Sequence, residues 1–377
     1  MNKAGIYIHI PFCLRKCGYC DFYSVAGQQE LIPRFIKSLI REIDYSQALA
    51  AETRFDTLFF GGGTPSLLEP HSLAAVLDAL AEKFDLTAVT EISLEANPGT
   101  VTPEKLQAYR KLGINRLSLG IQSFDQDNLK FLHRIHSAAD GLAAIAAART
   151  AGFANISCDL IFGLPGQDWN LFRRDLETVC ELEPEHLSCY SLTVEQGTDL
   201  YWQVFSDRIK LPGEEVVVEI YQRTREYLAE RGYAKYEVSN YSRPGFECRH
   251  NLHYWNIEPY LGFGPSAHSF DGRRRWWNFS DLNLYLANMK SRLSPIKATE
   301  ILTEPEITNE RVGFGLRLVR GFDPIEISSE LQTPLRSNID LCRRKWPDCL
   351  EISNGRVRLT AKGFLFADAI AVDLMVT

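Results

Sequence analysis

Through the first three-fifths of the chain, short apolar runs alternate with longer stretches whose apolar residues recur every three or four positions. The short runs, at residues 6–10, 57–60, 91–95, 116–121, 156–162 and 186–193, predict strands. The longer stretches, at 30–43, 71–84, 103–113, 138–152 and 169–182, predict amphipathic helices, with Gly113 and Gly152 placed as C-caps before the next strand. Repeated strand–helix units predict an α/β fold with a parallel sheet and right-handed crossovers. Six units suit either an open doubly wound sheet or a partial (β/α)6 barrel. The unusual segments GGGTP, EANP, IQSF and DLIFGLPGQ all fall at or just beyond strand C-termini. In a barrel those ends converge on one mouth, where active sites sit, so their distribution favours the barrel.

A further amphipathic stretch at 214–231 ends at Gly232 and leads into a segment rich in Tyr, Asn and Gly. After about residue 295 the alternation stops. Helices at 306–319 and 340–345, a hairpin turning at Asn354-Gly355 and a last helix at 361–374 predict a small winged-helix-like domain. The expected division is therefore 1–295 for the barrel and 296–377 for the C-terminal domain.

The net charge is −7, which gives no basic surface for nucleic acid. The one dense basic run, Arg273, Arg274 and Arg275, reads as a solvated loop, and the C-terminal domain as a packing or docking module. No stretch approaches the roughly 20 apolar residues that span a bilayer, and no export signal is expected from the N-terminal residues. A cytoplasmic chain is expected, in which nine cysteines point to metal or redox chemistry and not to disulfides.

Three of those cysteines, Cys13, Cys17 and Cys20, stand in a C-x3-C-x2-C run directly after the first predicted strand. The spacing would also put three thiols on one helix face, but Pro11 and Gly18 interrupt it and favour a loop. A zinc site needs a fourth ligand, and Cys248 with His250 lacks zinc-ribbon spacing. Three thiolates around a [4Fe–4S] cluster leave one iron open to a small molecule. Gly61, Gly62 and Gly63 let the backbone approach a ligand closely, or mark a tight turn. Glu95 follows a strand as ribose-binding carboxylates do, and Gln122, Arg134 and Asp159 are polar groups at later strand ends, together suited to a polar ligand. Cys158, Cys180, Cys189, Cys342 and Cys349 fall in apolar or helical contexts and read as packed thiols.

With Tyr19 as the aromatic residue before the third cysteine, this run resembles the signature of the radical S-adenosylmethionine (SAM) proteins. The resemblance implies that Cys13, Cys17 and Cys20 hold the cluster and that the amine and carboxylate of SAM chelate its open iron. YIHIPFC, FGGGTPSLL, LSLGIQSF, DLIFGLPGQ, LSCYSLTVEQGT, YEVSNYSRPG and GFGPSAHSF extend it over nearly the whole chain. They are similar to the branch holding oxygen-independent coproporphyrinogen III dehydrogenase and the HemW heme chaperones. By position, the resemblance implies Tyr7 near a first SAM, Gly62 and Glu95 holding it, and Gly63, Thr64, Gln122, Arg134 and Asp159 contacting a second SAM-sized ligand.

Phe22 stands where the dehydrogenase has a further cysteine, and the chain starts its strand about five residues in, without that enzyme's N-terminal extension. HNLHYW, from His250 to Trp255, resembles the H-N-x-x-Y-W motif linked to heme in the chaperones. The implied function is heme binding and delivery, with His250 as heme contact. Implied partners are heme, recipient hemoproteins and a reductant protein, and a homodimer is compatible. The alternatives are the dehydrogenase itself or another radical-SAM enzyme such as a methyltransferase. His250 and Asn251 could equally serve irregular backbone, and the three arginines could pair with heme propionates.

Overall fold

The computed structural model describes residues 2–46 and 53–377. Six parallel strands stand side by side in chain order: β1 (Asn2–Ile10), β2 (Thr53–Gly62), β3 (Glu91–Ala96), β4 (Arg116–Gln122), β5 (Ile156–Phe162) and β6 (His186–Ser191). The connections carry α1 (Ile32–Tyr45), α2 (Pro70–Lys83), α3 (Pro103–Lys111), the pair α4 (Gln126–Phe131) and α5 (Ala138–Thr150), and α6 (Trp169–Glu181). A strand order that never reverses has no doubly wound switch point; it is the order of a barrel. Thr102, Asp125, Ser137 and Asp168 each accept N–H groups at a helix start. Gly113 and Gly152 end α3 and α5 at φ 93° and 88°, as their positions predicted.

Alternation along the strands sorts the side chains. Leu94, Leu117, Leu119, Leu160 and Leu187 are fully buried in the apolar core between sheet and helices. The residues between them, Glu95, Ser118, Asp159 and Ser188, face the barrel interior, and Glu95 pairs in register with Ser118, Asp159 with Ser188. The inside is therefore polar.

The barrel does not close. After α7 (Asp199–Phe205) and α8 (Glu214–Ala229), β7 (Ala234–Lys235) and β8 (Asn240–Ser242) extend the β6 edge with β8 inner and β7 outer. A short helix, α9 (Arg249–Trp255), then leads to β9 (Tyr260–Phe263), which pairs parallel to β1. Antiparallel β10 (His268–Phe270), β11 (Arg274–Asn278) and β12 (Ile296–Ile301) continue outward, with α10 (Leu282–Lys290) between the last two. These strands have three to six residues each and are broken by tight turns, too short to show a period in the sequence. The basic run expected to be a solvated loop is thus partly strand: Arg275 binds Glu310 through both terminal nitrogens at 2.8 and 2.6 Å, and Glu300 at 3.2 Å.

The C-terminal part packs α11 (Glu304–Arg317), α12 (Ser329–Lys345), the hairpin β13 (Leu350–Ser353) and β14 (Arg356–Leu359), and α13 (Ala367–Leu374) around a separate core including Val312, Leu335, Val357 and Ile370. Asn354 and Gly355 both take positive φ, 51° and 79°, as a type I′ turn requires. Two boundaries differ from expectation. The helix predicted at 340–345 begins at Ser329, because Pro334 lies within it and costs one hydrogen bond without ending it. The last helix is preceded by a 3₁₀ turn at Gly363–Phe366.

Glu42 of α1 ties the extension to the barrel. Its buried carboxylate accepts from Gly264 N at 2.8 Å, Tyr285 Oη at 2.6 Å and the Asn278 amide. Burial, opposed by these donors, pushes its pKa up to about 7. A raised carboxyl pKa stabilises fully below the unfolded value and is lost as pH rises through the folded one. Between about pH 4.5 and 7, wild type should lose stability on the order of 3 kcal/mol or less through this group. Urea midpoints of Glu42→Gln should show a shallower decline over that window; an identical slope in variant and wild type would reject the assignment.

Candidate functional site

Along the C-terminal ends of β2 to β6, under the loop that follows β1, lies a cavity of about 530 Å³. The cysteine run leaves β1 as a loop, as Pro11 and Gly18 predicted. Phe12–Cys13 pairs with Val25–Ala26, Gln29 Nε2 donates to Cys13 O at 2.8 Å, and Cys20 N closes a turn onto Cys17 O at 3.2 Å. All three thiols are free and half-buried. Thr64 Oγ1 donates to Cys13 Sγ at 3.5 Å, and an Arg134 nitrogen to Cys17 Sγ at 3.6 Å. Among the described residues no group of three His, Cys, Asp or Glu is placed to hold a metal ion. Three free thiols on one loop, each able to bind a different iron, fit a multi-iron cluster better than a single ion.

The three glycines have three separate reasons. A Cβ on Gly61 would stand 2.8 Å from the Tyr7 ring, on Gly62 2.7 Å from the His9 ring, and on Gly63 2.7 Å from Phe12 O and 3.0 Å from Cys13 Sγ. The end of β2 thus runs hard against β1 and the cysteine loop. The sequence pointed to close approach of a ligand; what stands against these glycines here is the protein itself.

Around the cavity wall, Gly62 N donates to Glu95 Oε2 at 3.0 Å. Burial, with Asp159 adding, raises the Glu95 pKa to about 8. Asp159 is also raised by burial, against hydroxyl donors that include Ser118 Oγ at 3.1 Å and Ser157 Oγ at 3.3 Å. Arg134 donates to Gly120 O at 2.8 Å, while its buried Nε has no partner. Gln122 takes a left-handed φ of 68° at an irregularity between β4 and β5, which turns the chain over the cavity. Two carboxyl groups and a guanidinium with an unspent donor are what a zwitterionic, hydroxyl-bearing ligand needs.

Tyr19, Cys20, Gly62, Gly63, Thr64, Glu95, Gln122, Arg134 and Asp159 all line this cavity. Cys13 and Cys17 join it through Thr64 and Arg134. Gly120 and Tyr190 also line it and were missed. Gly120 had a signal, a glycine inside a strand: a Cβ there would meet Gln122 and Arg134 at 3.0 and 3.1 Å.

Tyr7 and His250 are elsewhere. Tyr7 is half-buried inside the barrel, its hydroxyl 3.1 Å from His9 Nδ1 and its ring stacked on Phe59 and His250. His250 sits on α9, fully buried, with Nδ1 2.9 Å from Thr57 Oγ1 and Nε2 2.9 Å from Tyr254 Oη. Gly5 leaves room for its ring. Burial, with the nearby His253 and Arg116, pushes its pKa well down, so it is neutral. Next to it, His253 loses stability as a cation to burial but gains more from Asp56 and Glu258, which raise it to about 9. HNLHYW therefore forms a plug at the N-terminal end of the barrel strands.

The profile of the Radical SAM superfamily matches residues 7–179. The heme chaperone HemW of Mycobacterium tuberculosis (strain ATCC 25618 / H37Rv) is 35% identical over 374 residues, covering 98% of this chain and 94% of that protein. The heme chaperone HemW of Escherichia coli (strain K12) is 40% identical over 271 residues, covering 71% of this chain and 70% of its own. Among solved structures, coproporphyrinogen III oxidase (HemN) from Escherichia coli, described as a radical SAM enzyme, superposes with a TM-score of 0.86 at 25% identity, covering 100% of this chain and 90% of that one. With the strand order, the three-thiol loop and full-length identity in agreement, the chain belongs to the HemW heme-chaperone family of the radical SAM superfamily.

Proposed function

We propose that this protein binds heme and delivers it to hemoproteins, and that its barrel cavity holds a [4Fe–4S] cluster and SAM. The observation that carries the cofactor reading is the three free thiols of Cys13, Cys17 and Cys20 on one loop at the rim of the polar cavity. Such a cluster, when bound, would supply an electron for the reduction of SAM. The chain's own residues bind and orient. Gly62 N fixes one oxygen of Glu95, leaving the other for ribose hydroxyls. Arg134 holds the loop at Cys17 and keeps Nε for an anionic group. Asp159, Gln122, Gly63 and Thr64 line the remaining volume, where a second SAM-sized ligand is the proposal.

The heme half of the reading rests on the HemW relatives. The rival, oxidative decarboxylation of coproporphyrinogen III, has the HemN likeness in its favour, since the two proteins share one fold. Against it, Phe22 occupies the position of the dehydrogenase's further cysteine and presents an exposed ring at the cavity edge. His250 would meet heme iron only after its ring gave up Thr57 on β2 or Tyr254 on its own helix. Arg275 is already paired with Glu310, which removes it from propionate binding. We further propose a division near residue 295, although β12 still belongs to the main sheet, with the C-terminal domain as a docking module. A reductant protein and a cytoplasmic setting complete the proposal. No helix among the described residues is long and apolar enough to cross a membrane.

Anaerobically reconstituted Cys13→Ser/Cys17→Ser/Cys20→Ser protein should lose cluster absorbance and bound iron entirely; full iron in the triple variant would overturn the assignment. Gly63→Ala should shift the cysteine loop at a cost of about 1–3 kcal/mol and lower iron content severalfold, whereas wild-type iron content would show that the loop yields freely. Wild-type protein with verified cluster, SAM, reductant and coproporphyrinogen III should give no protoporphyrinogen. Repeated turnover to that product, read by chromatography, would make the chain the dehydrogenase instead.

A further inference from the structure

We propose that α7 and Phe22 form the docking face for a flat, anionic tetrapyrrole beside the barrel mouth; the proposal rests on the heme function above and names its site. Helix α7 hangs from the cysteine loop. Leu200 is buried, and its N–H donates to Gly18 O at 2.9 Å, while Thr198 caps the helix start through Tyr201 N at 3.2 Å. This anchoring turns the opposite face to solvent. Trp202 is 59% and Phe205 73% exposed there. The Tyr201 and Phe205 rings lie nearly parallel, 10° apart with centroids at 5.9 Å, and Trp202 stands edge-on to both. On the cysteine loop itself, Phe22 is 71% exposed and lines the cavity, as Tyr190 does from β6.

Leaving rings of this size in water forfeits roughly 1.5–3 kcal/mol each, and among the described residues Trp202, Phe205 and Phe22 stay mostly uncovered. An aromatic cluster with offset and edge contacts is suited to a planar π-system. The flanking chain carries exposed charges of both signs, Asp21, Asp199 and Asp207 among the acids, and four cations. Arg15 and Lys16 on the loop, and Arg208 and Lys210 just past α7, are exposed, and none meets a carboxylate among the described residues. Arg208 is placed by the turn that closes α7, its N–H donating to Gln203 O at 3.0 Å. A heme presents two apolar faces and two carboxylates, which such a face can hold by stacking and by rim ion pairs. His250, by contrast, has both ring nitrogens engaged on the barrel floor.

Full-length, cluster-loaded Trp202→Ala/Phe205→Ala protein would be titrated with hemin and followed by absorbance, beside wild type and Trp202→Phe. The double variant should bind hemin at least tenfold more weakly and Trp202→Phe close to normally, with iron content and Tm unchanged because the side chains are exposed. Unchanged hemin affinity in the double variant overturns the docking face while leaving the chaperone function standing. If that variant binds hemin normally but no longer sediments with anionic phospholipid vesicles, the face is a membrane surface and the proposal is equally overturned. Failure of wild type itself to bind hemin sinks the heme function, and this site with it.

Discussion

The Glu91 carboxylate accepts the backbone N–H groups of Arg249 at 3.1 Å and His250 at 3.2 Å, with the Cys248 thiol at 3.8 Å. A negative charge at the start of α9 compensates unpaired amides and the helix dipole together. A barrel interior lined by carboxylates, hydroxyls, Arg116 and His186 cannot be left open and dry at its lower end; each polar group needs a partner. Glu91 supplies the anchor by which α9 closes that end. From there the pairing passes upward: Tyr236 Oη and Ser157 Oγ take the two nitrogens of His186 at 2.8 Å each, and Ser157 also reaches Asp159 at the cavity floor. The polarity of the cavity is therefore continuous with that of the plug.

What the sequence made legible follows from where local signals are strong. The six strands and five of their connecting helices were readable because each spans enough residues to show a period, while the six-residue α4 was not. Nine of the expected site residues fall on one cavity because strand C-termini are forced together by parallel topology, whatever the side chains. β9 to β12 were not readable, since three to six residues carry no period and their pairing is set by distant partners. The error over Arg273, Arg274 and Arg275 has the same origin: Glu310, which pairs with Arg275, is far away in the chain.

His250 shows the limit of motif reading in another way. The spacing of HNLHYW places histidine and tyrosine one helical turn apart, and that spacing serves a hydrogen bond between them, His250 Nε2 to Tyr254 Oη, as readily as it would serve a ligand. Gly5 and Thr57, which complete the pocket for the imidazole, lie on β1 and β2 and could not be tied to it from the sequence. The same holds for the glycine run of β2, whose neighbours Tyr7, His9 and Cys13 come from the preceding strand and loop.

The plug helix is also held from beneath. Trp255 packs edge-on against Phe314 of α11, Asn256 meets Arg320, and Val319 N donates to Tyr236 O at 3.0 Å. Opening the floor to bare His250 is therefore not a hinge motion of seven residues but a cooperative release, in which the C-terminal core must loosen with it. Such an event belongs among the sub-global openings of a protein, slow and rarely populated. Any ligand reaching the barrel from below would wait on that opening and bind more weakly by the fraction of time the floor is open, whereas the upper cavity meets solvent without such a rearrangement.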